Sequence, residues 1–410
     1  MKDKMEALLK KLEAELAPVA ERFSIHHEEI IALTNQWIHS YIYGAGFSAV
    51  DDVTADFLIR PVIDDFLNEH QISNISDLIS NVSPFMPAGK SNFKFIDLFA
   101  GIGGFRLALQ ELGGICVFGS EWDKSAKSTY QQNYGELPFG DITKFTADDI
   151  SDSKLDLLIP DHDILTAGFP CQPFSHAGVS ARSAIGKDHG FKCETQGTLF
   201  FDVVRIAQVK RPKFLFLENV RNIERHDEGR TFDVIKRAIA EIGYNFHYAL
   251  IDSSTLVPQR RIRCYMVCVR NDMNCDFKFP EFLGESLPLQ SILESDVPDT
   301  YTISDKLWEG HINRTRRNLE RGTGFTAFLA DLSRPANTLV ARYGKDGKEC
   351  LIPQDGKNPR MLTPRECARL QGYPENFILP KSRTPAYKQF GNSVSVPVIR
   401  KIAKSIIENL

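Results

Sequence analysis

Over residues 3–40 apolar side chains recur at three- and four-residue spacings, with Leu8, Leu9, Leu12, Leu16, Val19 and Phe23 on one face. That spacing predicts an amphipathic helix, with further helices up to about residue 80. Residues 81–91 are polar and hold Pro and Gly, the composition of a linker. From residue 93 the period changes. Short apolar runs at 95–99, 116–118, 164–167, 214–217, 244–251 and 263–269 alternate with helical stretches at 104–112, 124–133, 199–209 and 231–242. Such alternation predicts βαβ units and a parallel sheet, an α/β fold. Beyond Arg270 the pattern is irregular to about residue 382, with basic positions at Arg314, Arg316, Arg317 and Arg321, and helical periodicity returns at 387–410. Three parts are expected: a helical extension over 1–90, an α/β domain over 91–270 plus 383–410, and a smaller mixed domain over 271–382.

Composition adds limits. With 410 residues, 42% hydrophobic and 25% charged, the chain can bury large cores without covalent staples. None of the eight cysteines lies in a Cys-x-x-Cys pair, so reduced thiols, a cytoplasmic setting and no metal site are expected. No apolar run is long enough to cross a membrane. Residues 1–90 hold 7 Lys/Arg against 14 Asp/Glu, which leaves the remainder at +3 in a chain of net charge −4. The acidity of the first segment favours docking or oligomerisation over DNA contact.

Candidate chemistry starts at Phe99-Ala-Gly-Ile-Gly-Gly104, where the first strand gives way to the first helix. Gly101 and Gly103 let a ligand approach the backbone closely. Glu121, 20 residues beyond Gly101 at the end of the second strand, can accept hydrogen bonds from ribose hydroxyls. This layout indicates a nucleoside cofactor and leaves a dinucleotide and S-adenosylmethionine as alternatives.

A second stretch, Gly168-Phe-Pro-Cys-Gln-Pro-Phe-Ser175, puts Cys171 on a bend after a short buried strand. Alone, such a thiol reads as a small packed hydrophobe. Its company changes that: Asp141 in Phe139-Gly-Asp-Ile-Thr143, Glu218 in Leu217-Glu-Asn-Val220, Gln259-Arg-Arg-Ile-Arg263 and Gln389-Phe-Gly-Asn-Ser-Val394 follow in order. The series, over about residues 93–410, resembles the DNA (cytosine-5) methyltransferase family, and in particular bacterial modification enzymes acting on CCGG or CCWGG sites. The resemblance implies a Rossmann-like S-adenosylmethionine-dependent domain and a small target-recognition domain.

By that resemblance Cys171 is the nucleophile, and Glu218 holds the base at nitrogen 3 with a raised pKa. Arg261 and Arg263, two apart in an extended segment, converge on the base and its flanking phosphate. Phe99, Gly101, Gly103, Glu121, Trp122, Asp141, Ile142, Pro170, Leu199, Asn392 and Ser393 hold S-adenosylmethionine, with Glu121 at the ribose, Asp141 at the adenine amino group and Trp122 near the sulfonium. The target carbon is hidden in a stacked duplex, so the base is flipped out. Residues 175–197 then read as a closing loop, with Ser175 and Arg182 on DNA. Gly324 and Arg342 fall in the segment that resembles the family's target reader, where Arg342 is a candidate for a guanine edge.

Duplex DNA is thus the expected partner, met by a single copy of the chain. A cognate restriction endonuclease is a further candidate partner, and a cytoplasmic, nucleoid-associated enzyme is the expected setting. Two alternatives stay open: a tRNA cytosine-5 methyltransferase, although the Cys-Phe-Thr tripeptide of that branch is absent, and a DNA-binding repressor with a vestigial catalytic domain.

Overall fold

The computed structural model describes residues 2–23, 25–76, 78, 83–87, 91–170, 199–322, 327 and 329–410. It divides into two compact units. The first comprises Met1–Leu250, Arg263–Phe279 and Ala403–Leu410, and the second Ile251–Ile262 and Pro280–Ile402.

The first unit opens with helices α1 (Lys2–Arg22), α2 (Ile30–Tyr43) and α3 (Asp52–Glu69). The single helix expected over 3–40 is therefore broken. The apolar stripe of α1 ends at Phe23, the Ile25 N–H closes on the Ala20 carbonyl at 2.8 Å, and a 3-10 turn at His27–Glu29 redirects the chain. Residues 32–40 of α2 are all buried, so that helix is a core element with no polar face for periodicity to reveal.

Strands β1 (Phe93–Leu98), β2 (Gly114–Ser120), β3 (Ile164–Ala167), β4 (Phe214–Val220), β5 (Tyr244–Asp252) and β6 (Ile262–Arg270) form one sheet in the order β2-β1-β3-β4-β6-β5. Helices α4 (Gly104–Glu111), α5 (Lys124–Tyr134), α6 (Asp152–Leu158), α7 (Leu199–Lys210) and α8 (Arg230–Glu241) alternate with them. β1 pairs in parallel with β2 and β3, and β3 with β4; β2 and β3 are buried throughout, as strands covered on both faces must be. The expectation of a wholly parallel sheet fails at β6, which runs antiparallel to β4. Only residues 253–261 join β5 to β6, too few for a parallel crossover.

Local chemistry sets the helix ends that matter. The Asp123 carboxylate caps α5 by accepting from the N–H groups of Ser125 and Ala126, and Gly135 ends it with φ 69°. The buried Arg106 guanidinium on α4 donates to the Glu136 carboxylate at 2.6 Å and to the Tyr130 hydroxyl at 2.9 Å, beneath the rings of Tyr130 and Tyr134. A buried charge is tolerable only when paired in this way, and the pairing locks α4 to α5.

In the second unit α9 (Asp305–Glu320) starts at the Ser304 cap and carries Arg314, Arg316 and Arg317. This stretch had read as irregular because His311 is the one buried residue of the helix, leaving no apolar stripe. Helices α10 (Tyr343–Asp346), α11 (Pro364–Leu370) and α12 (Arg383–Asn392) follow, and α13 (Val396–Ile407) begins in this unit and ends in the first. Thr363 and Glu366 form a capping box on α11, and Glu366 takes both arms of Arg360 at 2.8 Å.

Candidate active site at the ends of the parallel strands

Strand register aligns the chemistry. Leu98 lies opposite Ser120 and Ala167, and Ala167 lies opposite Leu217. The next residue of each strand in turn is Phe99, Glu121, Gly168 and Glu218, so these four share one edge of the sheet. Sequential strands lie to either side of β1, making this the point where strand order reverses. Open α/β sheets bind ligands there, beyond the carboxyl ends of their strands.

The glycine turn is held open by its backbone. Phe99 has φ 54° and Gly101 φ 56°, and a β-carbon added at Gly101 would meet nothing within 4 Å. Gly103, φ 80°, lies against the Tyr134 ring, whose hydroxyl donates to the Gly103 carbonyl at 2.7 Å. The Glu121 carboxylate, 7% exposed, bridges the two strand tips by accepting from Gly101 N–H at 2.8 Å and Asp123 N–H at 2.7 Å. Burial pushes its pKa up, and these backbone donors oppose the rise. Trp122 beside it is 77% exposed.

Phe139 pairs with Ser120 past the end of β2, which brings Asp141 to the same edge. Asp141 accepts from the N–H and the hydroxyl of Thr143, at 3.0 and 2.9 Å. Ile142 has its side chain in the core.

Beyond β3, the Asn219 amide donates to the Phe169 carbonyl at 2.9 Å and fixes the turn that presents exposed Pro170. Cys171, Ser175, Arg182, Gly324 and the expected closing loop lie outside the described residues. Leu199, the first residue of α7, is half-buried. Glu218 is almost fully buried, and the Arg263 guanidinium stands 3.2 Å from its carboxylate. Sequence reasoning had singled out Glu218 and passed over its neighbour Asn219, although both stand in one tripeptide.

The second unit gathers the remaining residues. Arg261, 3% exposed, donates to the carbonyls of Leu339 at 3.0 Å, Gly391 at 3.4 Å and Ser393 at 2.6 Å. Its guanidinium bonds backbone carbonyls, whereas that of Arg263 faces the Glu218 carboxylate, so two arginines with equivalent spacing have different partners. Asn392 is exposed, and the Ser393 hydroxyl is 2.7 Å from that of Tyr373. Arg342 is exposed at the start of α10. Gly391 has the Val340–Ala341 backbone where a β-carbon would stand.

A profile of C-5 cytosine-specific DNA methylases matches residues 93–408. The chain belongs to that family. This methylase is 49% identical over 336 residues to the Type II methyltransferase M1.ScrFI of Lactococcus lactis subsp. cremoris, covering 80% of this chain and 82% of that one. It is 40% identical over 365 residues to the Type II methyltransferase M.MspI of a Moraxella species, covering 87% and 81%. Among solved structures, the S. pombe Dnmt2 methyltransferase shares the fold at 19% identity and TM-score 0.57, covering 77% of this methylase and 99% of that chain. The methylase is a transferase acting on carbon 5 of cytosine in DNA, in a family dependent on S-adenosylmethionine. Among the described residues no helix is long and apolar enough to cross a membrane.

Proposed function

We propose that this methylase binds S-adenosylmethionine at the Phe99–Gly103 turn and methylates a flipped cytosine through a covalent bond to Cys171. The observation that carries the reading is the shared strand edge, where Glu218 and the turn leading to Pro170 stand in line with the glycine turn and Glu121.

The cofactor fits what is present. Space beside Gly101 admits a ligand against the backbone, Glu121 offers a carboxylate at the ribose position, and exposed Trp122 offers an aromatic face to a cation. Phe99, Gly103, Asp141, Ile142, Pro170, Leu199, Asn392 and Ser393 complete the assigned set, with Ile142 contributing backbone. When bound, S-adenosylmethionine supplies an electrophilic methyl group.

Carbon 5 of cytosine is a weak nucleophile. The Cys171 thiolate adds to carbon 6, and the electron pair of the 5,6 bond moves into the ring toward nitrogen 3, where Glu218 supplies a proton and an anchor. Carbon 5 then carries enough electron density to take the methyl group. Loss of its proton restores the 5,6 bond and expels the thiolate. Arg263 holds the Glu218 carboxylate in place, and Arg261 positions the segments whose carbonyls it binds. Ser175, Arg182, Gly324 and Arg342 are assigned to DNA, with a CC-(N)-GG-type site read through residues 321–325 and 338–347.

Functionally, we assign 91–270 with 383–410 to catalysis, 271–382 to target recognition and 1–90 to a helical extension. One copy acts per site, in the cytoplasm on nucleoid DNA and alongside a cognate endonuclease. Transfer of label from tritiated S-adenosylmethionine to duplex DNA, and not to tRNA, tests the substrate. Label on tRNA alone overturns the DNA assignment, and label on neither overturns the catalytic one. Bisulfite sequencing of DNA from an expressing host tests the recognition site.

A further inference from the structure

The segment that carries Asp141 is held from two sides. On one, it is stitched to the tip of β2: Phe139 N–H donates to the Gly119 carbonyl and Glu121 N–H to the Phe139 carbonyl, both at 2.8 Å, and the Ser120 hydroxyl donates to the Gly140 carbonyl at 2.6 Å. On the other side stands the helical extension, which lies outside the residues matched by the family. Glu29, 5% exposed, accepts the Gly140 N–H at 2.7 Å. Asn35 accepts the Leu137 N–H at 3.0 Å, and the Gln36 amide reaches the Val117 carbonyl on edge strand β2 at 3.1 Å. Lys127 lies 3.8 Å from the Glu29 carboxylate. A β-carbon added at Gly140 would meet Glu29 Oε1 and push that carboxylate aside.

The extension thus meets both ends of a four-residue segment with directed polar groups. A buried carboxylate is an expensive way to support a loop unless its acceptor is used, and here it is used on the N–H of Gly140, the residue immediately before Asp141. We propose that Glu29 is a positioning residue for the cofactor: it fixes the peptide between the ribose contact, Glu121, and the adenine contact, Asp141. The inference rests on the cofactor site assigned above. It gives the acidic extension a task that neither DNA contact nor oligomerisation describes.

The test is a comparison of Glu29→Ala, Glu29→Gln and Glu121→Ala in the full chain, reading S-adenosylhomocysteine affinity by calorimetry and steady-state kinetics on duplex DNA. Loss of a charge-assisted hydrogen bond on the loop is expected to raise the Kd and the KM for S-adenosylmethionine about five- to twentyfold in Glu29→Ala. The kcat at saturating cofactor and the KM for DNA stay unchanged. Glu29→Gln, which keeps an acceptor, recovers most of the affinity. A purely structural role would instead lower kcat in step with the folded fraction, at constant KM, and that result overturns the proposal. Unchanged affinity in Glu29→Ala while Glu121→Ala loses binding also overturns it. Unchanged affinity in Glu121→Ala overturns the cofactor site itself. If Glu29→Ala fails to fold, Glu29→Met, which fills the same space without an acceptor for the Gly140 N–H, takes its place, and a native KM for S-adenosylmethionine in that variant overturns the proposal equally.

Discussion

Replacing Gly101 by alanine separates backbone strain from ligand exclusion. At φ 56° an alanine costs about 1–2 kcal/mol in the left-handed region, but its methyl group meets no protein atom within 4 Å. The variant should therefore fold, with a melting temperature lowered by a few degrees. The same methyl group stands in the space assigned to the cofactor. Overpacking by one methyl costs roughly 1–3 kcal/mol, equivalent to a loss of affinity of about 5- to 150-fold. Titration calorimetry with S-adenosylhomocysteine, set beside a thermal melt, measures both numbers on one preparation. Gly103→Ala is the contrasting control, because its β-carbon would enter the Tyr134 ring packed under Arg106, and it should lose folded protein rather than affinity alone. A Gly101→Ala enzyme that binds with native affinity refutes the reasoning, since the open space would then belong to something other than the cofactor.

Cys171→Ser should abolish methyl transfer while leaving cofactor affinity within about twofold; substantial turnover in a label-transfer assay would sink the covalent mechanism. Arg263→Ala leaves the Glu218 carboxylate buried without its guanidinium and should lower kcat by about 10²-fold, with the KM for cofactor little changed. Arg342→Ala should preserve kcat while relaxing discrimination at one base pair by about 1–3 kcal/mol, read by bisulfite sequencing of a randomised target. Burial raises the Asp97 pKa to about 7, against a hydrogen bond from Thr166 and the charge of Arg106, with Glu121 adding to the rise. Between its ordinary value and about 7 the folded state then holds more protons than the unfolded one. Its stabilising contribution is full at low pH and is lost as pH rises toward 7, and Asp97→Asn should flatten that slope in urea melts from pH 5 to 8.

The strands and the glycine turn were legible because each rests on a local signal. The run at 164–167 coincides with β3, and Gly101 and Gly103 have the positive φ that only a tight turn demands. What was not legible depends on partners distant in sequence. Arg261 and Arg263 look equivalent in an extended run, yet one meets the carbonyls of residues 339, 391 and 393 and the other meets Glu218. The direction of β6 follows from the length of its connection to β5, a feature that apolar runs do not encode. Glu29 carried no signal at all, because a lone acid near a helix start is ordinary and its partner lies 111 residues away. α9 was missed for the opposite reason, since a helix with one buried residue leaves nothing periodic to find.

Arg261 reads peptide carbonyls, and Gly391 leaves room for a peptide, so neither depends on which side chains occupy residues 339–341. At these two points residues 339–341 are gripped by their main chain, beside the buried Leu339 side chain and the Thr338 hydroxyl, which donates to the Arg260 carbonyl at 2.7 Å. An exposed side chain on this path, such as that of Arg342, can be exchanged without touching the grip, while a one-residue insertion before Leu339 would displace the gripped carbonyl and undo it. The segment proposed to read DNA is thus tolerant of substitution at its exposed positions and fragile to changes in length.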